Sequence, residues 1–169
     1  MTHANEQRGL RIAGSDFIYL REGYYGAVFV DKDEGRIRKV FLNKNGKEHA
    51  RQVFEAEACA YEKASGVAEL LPLIPGNFIR CQPQRIVDIS GQCVSADFFC
   101  DLAFETDYVE GTFCKVGSIQ SKSVRAVMEL FHAADIKNVQ DMSVVLDTEG
   151  NVVSAIDFAI QEIALWHDD

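Results

Sequence analysis

No apolar run in the chain approaches the roughly 18 consecutive residues that a membrane-crossing helix requires, so no bilayer-spanning segment is expected. The opening residues, Met1-Thr2-His3-Ala4-Asn5-Glu6-Gln7-Arg8, carry no apolar core of a secretory signal. Cysteines stand at positions 59, 81, 93, 100 and 114 and form no Cys-x-x-Cys pair. An odd, dispersed set of this kind speaks for reduced thiols in a cytosolic setting rather than a zinc site or a disulfide framework. Basic residues are in deficit, 17 Lys and Arg against 26 Asp and Glu, for a net charge of −9. That balance argues against a nucleic-acid or anionic-membrane partner. It leaves nucleotide binding open, because a nucleotide needs only a few local cations and a metal. There is no internal repeat, no low-complexity linker, and no Gly-x-x-x-x-Gly-Lys-[Ser/Thr] loop of the Walker type.

What is present is a globular composition, 47% apolar over 169 residues, enough for one domain with a real core, built as two small lobes. Residues 17–20 read as a strand. Glu22-Gly23-Tyr24-Tyr25-Gly26 reads as a turn, and Val28-Phe29-Val30 begins a second strand. Two glycines separated by two residues let backbone N–H groups approach a phosphate; a plain hairpin has the same pattern. After the turn at 31–35, residues 36–42 read as a third strand. Its alternation puts Ile37, Lys39 and Phe41 on one face, with Arg38 solvated on the other. A lysine between two large apolar residues needs a counter-charge or a wet amine.

Residues 48–65 read as a helix stopped by Gly66. Phe54, Glu57, Tyr61 and Ala64 fall on one stripe, while Arg51, Glu55 and Glu62 lie opposite. Glu57 is thus an acid on the buried face, and Lys39 is the obvious cationic partner. Strands are expected at 85–90 and 92–100 about Gly91, and then at 103–111, ending in the polar turn Asp107-Tyr108-Val109. Residues 122–134 read as an amphipathic helix with Val124, Val127, Met128 and Phe131 inward, and His132 packs at its end. The runs Val144-Val145-Leu146 and 152–159 around Asp147-Thr148-Glu149-Gly150-Asn151 read as a hairpin with Asp157 at its exit.

In this order the motifs resemble the protein-kinase-like superfamily across roughly residues 14–159. Gly23-Tyr24-Tyr25-Gly26-Ala27-Val28 is similar to the glycine-rich loop, although Arg21 holds its first glycine position. Lys39 resembles the strand-three lysine and Glu57 the helix glutamate that steers it. Asp107-Tyr108-Val109 resembles the hinge, whose backbone binds the adenine edge. Phe131-His132-Ala133-Ala134-Asp135-Ile136 resembles the lead into the catalytic loop. Ile156-Asp157-Phe158-Ala159 resembles the magnesium-binding Asp-Phe-Gly, with alanine third.

The catalytic loop itself departs from the pattern. Counted from His132, the catalytic position falls within one residue of Asp141; counted back from the Asp147 turn, it falls on Asn138, with Ser143 where a metal-binding Asn is usual. Asp141 is the preferred position, and Asp147 or Ser143 would then replace the missing Asn. No Ala-Pro-Glu motif follows Asp157.

The resemblance implies an α+β, minimal bilobal kinase-like fold. Residues 14–110 would form an antiparallel five-stranded N-lobe with one helix, plus the hinge, and 111–169 a truncated C-lobe. It implies an ATP- and Mg-dependent Ser/Thr protein kinase acting as a monomer. Asp141, Lys39 and Glu57 would be catalytic; Gly23, Gly26, Val28, Lys39, Asp107 and Val109 would hold the nucleotide; Asp157 would hold the metal. Compact members of the superfamily occur among type III secreted bacterial effectors, whose signal has no sharp pattern. The partner would then be a protein substrate such as a host chaperone, and the location the cytoplasm or, after secretion, a host cell. The degenerate loop keeps a second reading open, a pseudokinase that binds or inhibits without transfer. The acidic charge motivates a third, a nucleic-acid mimic, but the acids are dispersed rather than in blocks.

Overall fold

The computed structural model describes residues 9–44, 46–83 and 85–158. The fold is α+β, with antiparallel strands throughout and two α-helices among the described residues. It divides into two compact units. The first comprises the chain up to Phe54 together with Ile79–Tyr108; the second comprises Glu55–Phe78 and the chain from Val109. Among the described residues no helix is long and apolar enough to cross a membrane.

The first unit is a seven-stranded sheet. Its strands are β1 (Arg11–Ile12), β2 (Ile18–Glu22), β3 (Gly26–Asp31), β4 (Arg36–Leu42), β5 (Ile79–Cys81), β6 (Ile86–Val87) and β7 (Phe98–Asp107). They lie in the order β5-β7-β4-β3-β2-β1-β6. β3 is the central strand and β4 lies between it and β7, so that Val28, Lys39 and Phe104 fall in one cross-strand row. Central strands are covered on both faces, which is why Ala27-Val28-Phe29-Val30 and Val40-Phe41-Leu42 read as unbroken apolar runs. One face packs a core that includes Phe17, Phe29, Val40, Leu42, Ile86 and Phe98. On the other face Phe41 meets Phe54 edge-on at 5.4 Å.

Five strands were expected and seven form. The two additions, β1 and β5, are two and three residues long and carry no readable alternation. The expected strands at 85–90 and 92–100 shrink to β6 and a single bridge between Val87 and Cys93. The cause is turn chemistry: the Asp88 carboxylate accepts from the amides of Ser90 and Gln92, both at 2.9 Å, and curls the chain. The strand expected from residue 103 begins instead at Phe98, and a register shift between Val40 and Phe41 lets β4 follow it. Arg38, expected in solvent, is partly buried. Its guanidinium reaches Glu105 at 3.1 Å and lies 4.3 Å above the Phe17 ring.

Helix α1 (Lys47–Ser65) contributes its residues up to Phe54 to the first unit and those from Glu55 to the second. Its stripe is as the spacing predicts: Phe54, Glu57, Tyr61 and Ala64 are all buried. Gly66 follows the helix but does not adopt the left-handed conformation of a glycine cap.

The second unit adds α2 (Lys122–Ala133) and a sheet of β8 (Cys114–Lys115), β9 (Ser143–Leu146) and β10 (Val152–Ile156), in the order β10-β9-β8. Ser121 caps α2 by accepting from the Val124 amide at 3.0 Å. Val124, Val127 and Phe131 are buried, as their spacing requires. His132 is exposed rather than packed. The β9–β10 hairpin is closed by Asp147, whose carboxylate accepts from the amides of Glu149 and Asn151 at 2.9 and 2.8 Å.

Candidate functional site

In the first unit the glycine turn joins β2 to β3, and the Gly23 amide donates to the Gly26 carbonyl at 2.9 Å. Neither glycine has a positive φ. Gly26 is needed for close approach instead: a Cβ there would stand 3.1 Å from Lys39 Cε, 3.2 Å from Lys39 Cγ and 3.2 Å from the Val40 carbonyl oxygen. At Gly23 the nearest atom to such a Cβ is 3.8 Å away. The absent side chain at Gly26 is therefore the space through which the Lys39 chain runs.

Lys39 is only 8% exposed, and its Nζ lies 5.5 Å from the centre of the Phe41 ring, on the face that alternation predicts. Val28 is its direct neighbour on β3. In β2 the register shifts between Tyr19 and Arg21, leaving Leu20 as the extra residue of a bulge next to the glycine turn. Bulges of this kind re-aim side chains beside functional sites.

Asp107 ends β7. Its carboxylate is 2.9 Å from Arg36 Nη1, and its carbonyl accepts from the Thr106 hydroxyl at 3.2 Å. The Tyr108 amide donates to the Gly35 carbonyl at 2.8 Å. Val109, the last predicted nucleotide contact, is partly buried and opens the second unit.

In the second unit Glu57 and Tyr61 stand one helical turn apart, 1% and 3% exposed. The Tyr61 hydroxyl is held well above the ordinary phenol range, first by burial and then by the negative charges of Glu57 and Asp157. Two carboxylates, one from α1 and one from the hairpin exit, thus converge on a single buried phenol. Tyr61 was legible from sequence only as an apolar stripe residue; its place four residues after Glu57 was the available signal.

Asp157 has φ +59°, a left-handed conformation that costs a non-glycine residue on the order of 1 kcal/mol or more. The next residue supplies the compensation. Phe158 is fully buried, with its ring centre 4.6 Å from that of Tyr61 and 4.9 Å from that of Phe131. Ala159, third in the Asp-Phe-Gly-like motif, lies outside the described residues.

The segment after α2 is pinned by Ile136, Val139 and Met142, all buried at a spacing of three. Asp135 and Asn138, which immediately precede Ile136 and Val139, have φ +57° and +60°. Asp141 is exposed at the end of this loop, where its carbonyl accepts from Lys115 Nζ at 2.8 Å. Asn138 is partly buried, and its Nδ2 is enclosed with no hydrogen-bond partner among the described residues.

Of the two substitutes for the missing Asn, Asp147 is ruled out by position. It caps the turn end of the hairpin, with β10 running from there to Asp157, a separation of roughly 15 Å or more at strand rise. Ser143 pairs with Ile156 beside Asp157, but is buried in β9.

A cavity of about 250 Å³ in the second unit is lined by Lys63, Asp135 and Lys137 over Ala56 and Ala60. Its two ammonium groups lie 3.7 and 3.9 Å from the two oxygens of the Asp135 carboxylate, and it contains none of the predicted site residues. No group of three or more His, Cys, Asp or Glu side chains with metal-holding geometry occurs among the described residues. No family model matches the chain, and no curated protein matches it.

Proposed function

We propose that this protein is a minimal kinase-like enzyme that transfers the γ-phosphoryl group of Mg–ATP to a Ser or Thr hydroxyl of a protein. The observation that carries the reading is Asp157: a carboxylate at a hairpin exit, in a strained left-handed backbone conformation that the buried Phe158 holds in place. Strain of this kind is retained where a side chain must point in one direction. The residues suit the reaction's groups. Asp157 offers the hard oxygen ligands that magnesium takes, and the Gly26 gap leaves room for the Lys39 chain beside Val28.

In this reading Lys39 pairs with the ATP phosphates, and Glu57 takes the part of the helix glutamate that the resemblance assigns to steering it. Val28 covers the base, and the backbone of Asp107 and Val109 meets its edge. Gly23 and Gly26 keep side chains away from the phosphates. Asp141, exposed on the pinned loop, orients the acceptor hydroxyl and takes its proton as the oxygen attacks phosphorus. Magnesium, when bound, supplies charge neutralisation on the transferring phosphates. The acceptor is a protein, with a host chaperone as the example that the effector resemblance suggests.

Label transfer from γ-labelled ATP into a mixed lysate tests this. Labelled bands in wild type that vanish in Asp157→Ala and Lys39→Ala are expected; undiminished transfer by Asp157→Ala overturns the mechanism.

The second reading, a pseudokinase, is favoured by one observation: Asp147 caps the far turn and Ser143 is buried, so neither offers an exposed side chain in place of the metal-binding Asn. ATP binding without transfer, together with partner binding that survives in the Lys39→Ala, Asp157→Ala double mutant, would select it.

A further inference from the structure

The cavity of about 250 Å³ in the second unit lies between α1 and the turn that follows α2. It uses none of the residues assigned above to phosphoryl transfer. Ala56, Cys59, Ala60 and Lys63 supply one wall. Their spacing places them on one face of α1. The methyl groups at 56 and 60 keep that face low, and the buried Ile136 adds to the apolar lining. The volume falls just below the roughly 300–1,000 Å³ of drug-sized sites, so it suits a smaller ligand.

The rim is charged and held in place by the backbone. Asp135 has φ +57°, and its amide donates to the His132 carbonyl at 3.0 Å. The Ile136 amide donates to the Phe131 carbonyl, also at 3.0 Å. These bonds close the end of α2 and fix the turn. Lys63 Nζ donates to the Asp135 carbonyl at 3.2 Å and lies 3.7 Å from one oxygen of its carboxylate. Lys137 Nζ lies 3.9 Å from the other oxygen, an ion-pair distance too long for a hydrogen bond. Two ammonium groups thus face one carboxylate, which leaves one positive charge in excess at the rim of a chain whose total is −9. Glu55, whose carboxylate is 3.9 Å from Cys59 Sγ, stands outside the lining.

We propose that this cavity binds a small organic monocarboxylate, its anionic group between Lys63 and Lys137 and its apolar body on Ala56, Ala60 and Ile136. A second carboxylate completes the ion pairs that Asp135 leaves half-matched. Each ammonium carries three donors, so both lysines can serve Asp135 and the ligand together. A single negative charge is the matching one. A phosphomonoester brings nearly two, and the Asp135 carboxylate repels the surplus.

The test titrates benzoate into the reduced full-length protein at constant ionic strength, followed by calorimetry. Saturable binding with a Kd below about 10 mM is expected. Benzamide, the neutral counterpart, should bind about tenfold more weakly, because it forfeits the charge-assisted bonds. Phenyl phosphate should also bind more weakly than benzoate. Lys63→Met and Lys137→Met should each weaken benzoate several-fold, and Ala56→Leu, which fills the cavity, should abolish binding. Asp135→Asn should instead tighten it several-fold, since the competing carboxylate is gone. Asn tolerates the positive φ, and the backbone carbonyl that holds Lys63 remains. A readout without substitution is alkylation of Cys59: benzoate should slow it and leave Cys93, exposed in the first unit, unaffected. No saturation by about 10 mM, equal binding of benzamide, unchanged benzoate binding in Lys137→Met, or binding no tighter in Asp135→Asn overturns the proposal. None of these readouts involves phosphoryl transfer, so the outcome is independent of the kinase reading.

Discussion

Replacing Gly26 by alanine tests the geometry around Lys39 directly. The new methyl would sit 3.1–3.2 Å from three atoms, two on the Lys39 chain and one the Val40 carbonyl oxygen. The lysine can turn away, but the carbonyl belongs to β4, which is bonded to β3 on one side and β7 on the other. Overpacking of this kind costs about 1–3 kcal/mol. The smaller entropy of the unfolded alanine chain offsets about 0.4–1 kcal/mol of it. A net loss of about 1–2 kcal/mol would lower Tm by about 2–8 °C in a protein of this size. Gly23→Ala is the control. Its Cβ meets nothing closer than 3.8 Å and its φ is not positive, so it should be neutral or gain a few tenths of a kcal/mol. Thermal melts of Gly26→Ala, Lys39→Ala and the double mutant complete the cycle. Lys39→Ala removes two of the three close atoms, so Gly26→Ala should cost at least about 0.5 kcal/mol less in that background. Equal costs in both backgrounds, or a Gly26→Ala protein as stable as wild type, would falsify the assignment of the gap to the Lys39 chain.

Phe158→Ala empties a site among Tyr61 and Phe131 and should cost about 3–5 kcal/mol, read by urea denaturation; a change under about 1 kcal/mol would show that Phe158 does not anchor the hairpin exit. Gly111→Ala should also destabilise markedly, because φ is +145° and the added Cβ would lie 2.8 Å from Val145 Cγ1; an unchanged melt would contradict that. The carboxyls of Asp88, Asp101 and Asp147 are all held below the ordinary range, mainly by hydrogen bonds from Ser90, Lys47 and the Asn151 amide respectively. A depressed folded pKa means that their contribution is complete above the unfolded value near pH 4 and is lost as pH falls through the lower folded values. Asp147→Asn should therefore flatten the acid limb of a Tm–pH profile, and an unaltered limb would refute that role. In the loop, Asp141→Asn should abolish transfer while Asn138→Ala lowers it less; the reverse order would assign the catalytic position to Asn138.

Much of the secondary structure was legible in the sequence because it rests on local periodicity. The strand at 36–42 appears with its predicted bounds, and the stripe of Phe54, Glu57, Tyr61 and Ala64 is buried as spacing alone required. The hairpin around Gly150 was equally plain, since Asp147, Gly150 and Asn151 carry their turn chemistry in their side chains and backbone preference. Other features depended on partners distant in sequence. β1 and β6 are too short for a pattern and exist because each completes the other's hydrogen bonding at the sheet edge. Arg38 left solvent because β7 placed Glu105 beside it. Whether Asp147 was a metal ligand or a turn cap could not be decided by counting residues, because the hairpin register determines which end of β10 it occupies.

Sequence by itself determined the residue types and their faces: a lysine among apolar neighbours on a strand, an acid on a buried helical stripe, an acid at a hairpin exit. Tertiary structure alone decided which of them share an environment. It brought the charges of Glu57 and Asp157 within reach of the Tyr61 phenol and gave Lys39 its passage over Gly26. The physical reason is range: periodicity and turn preference act over a few residues, whereas charge, burial and close approach depend on atoms that only chain folding brings within a few ångströms.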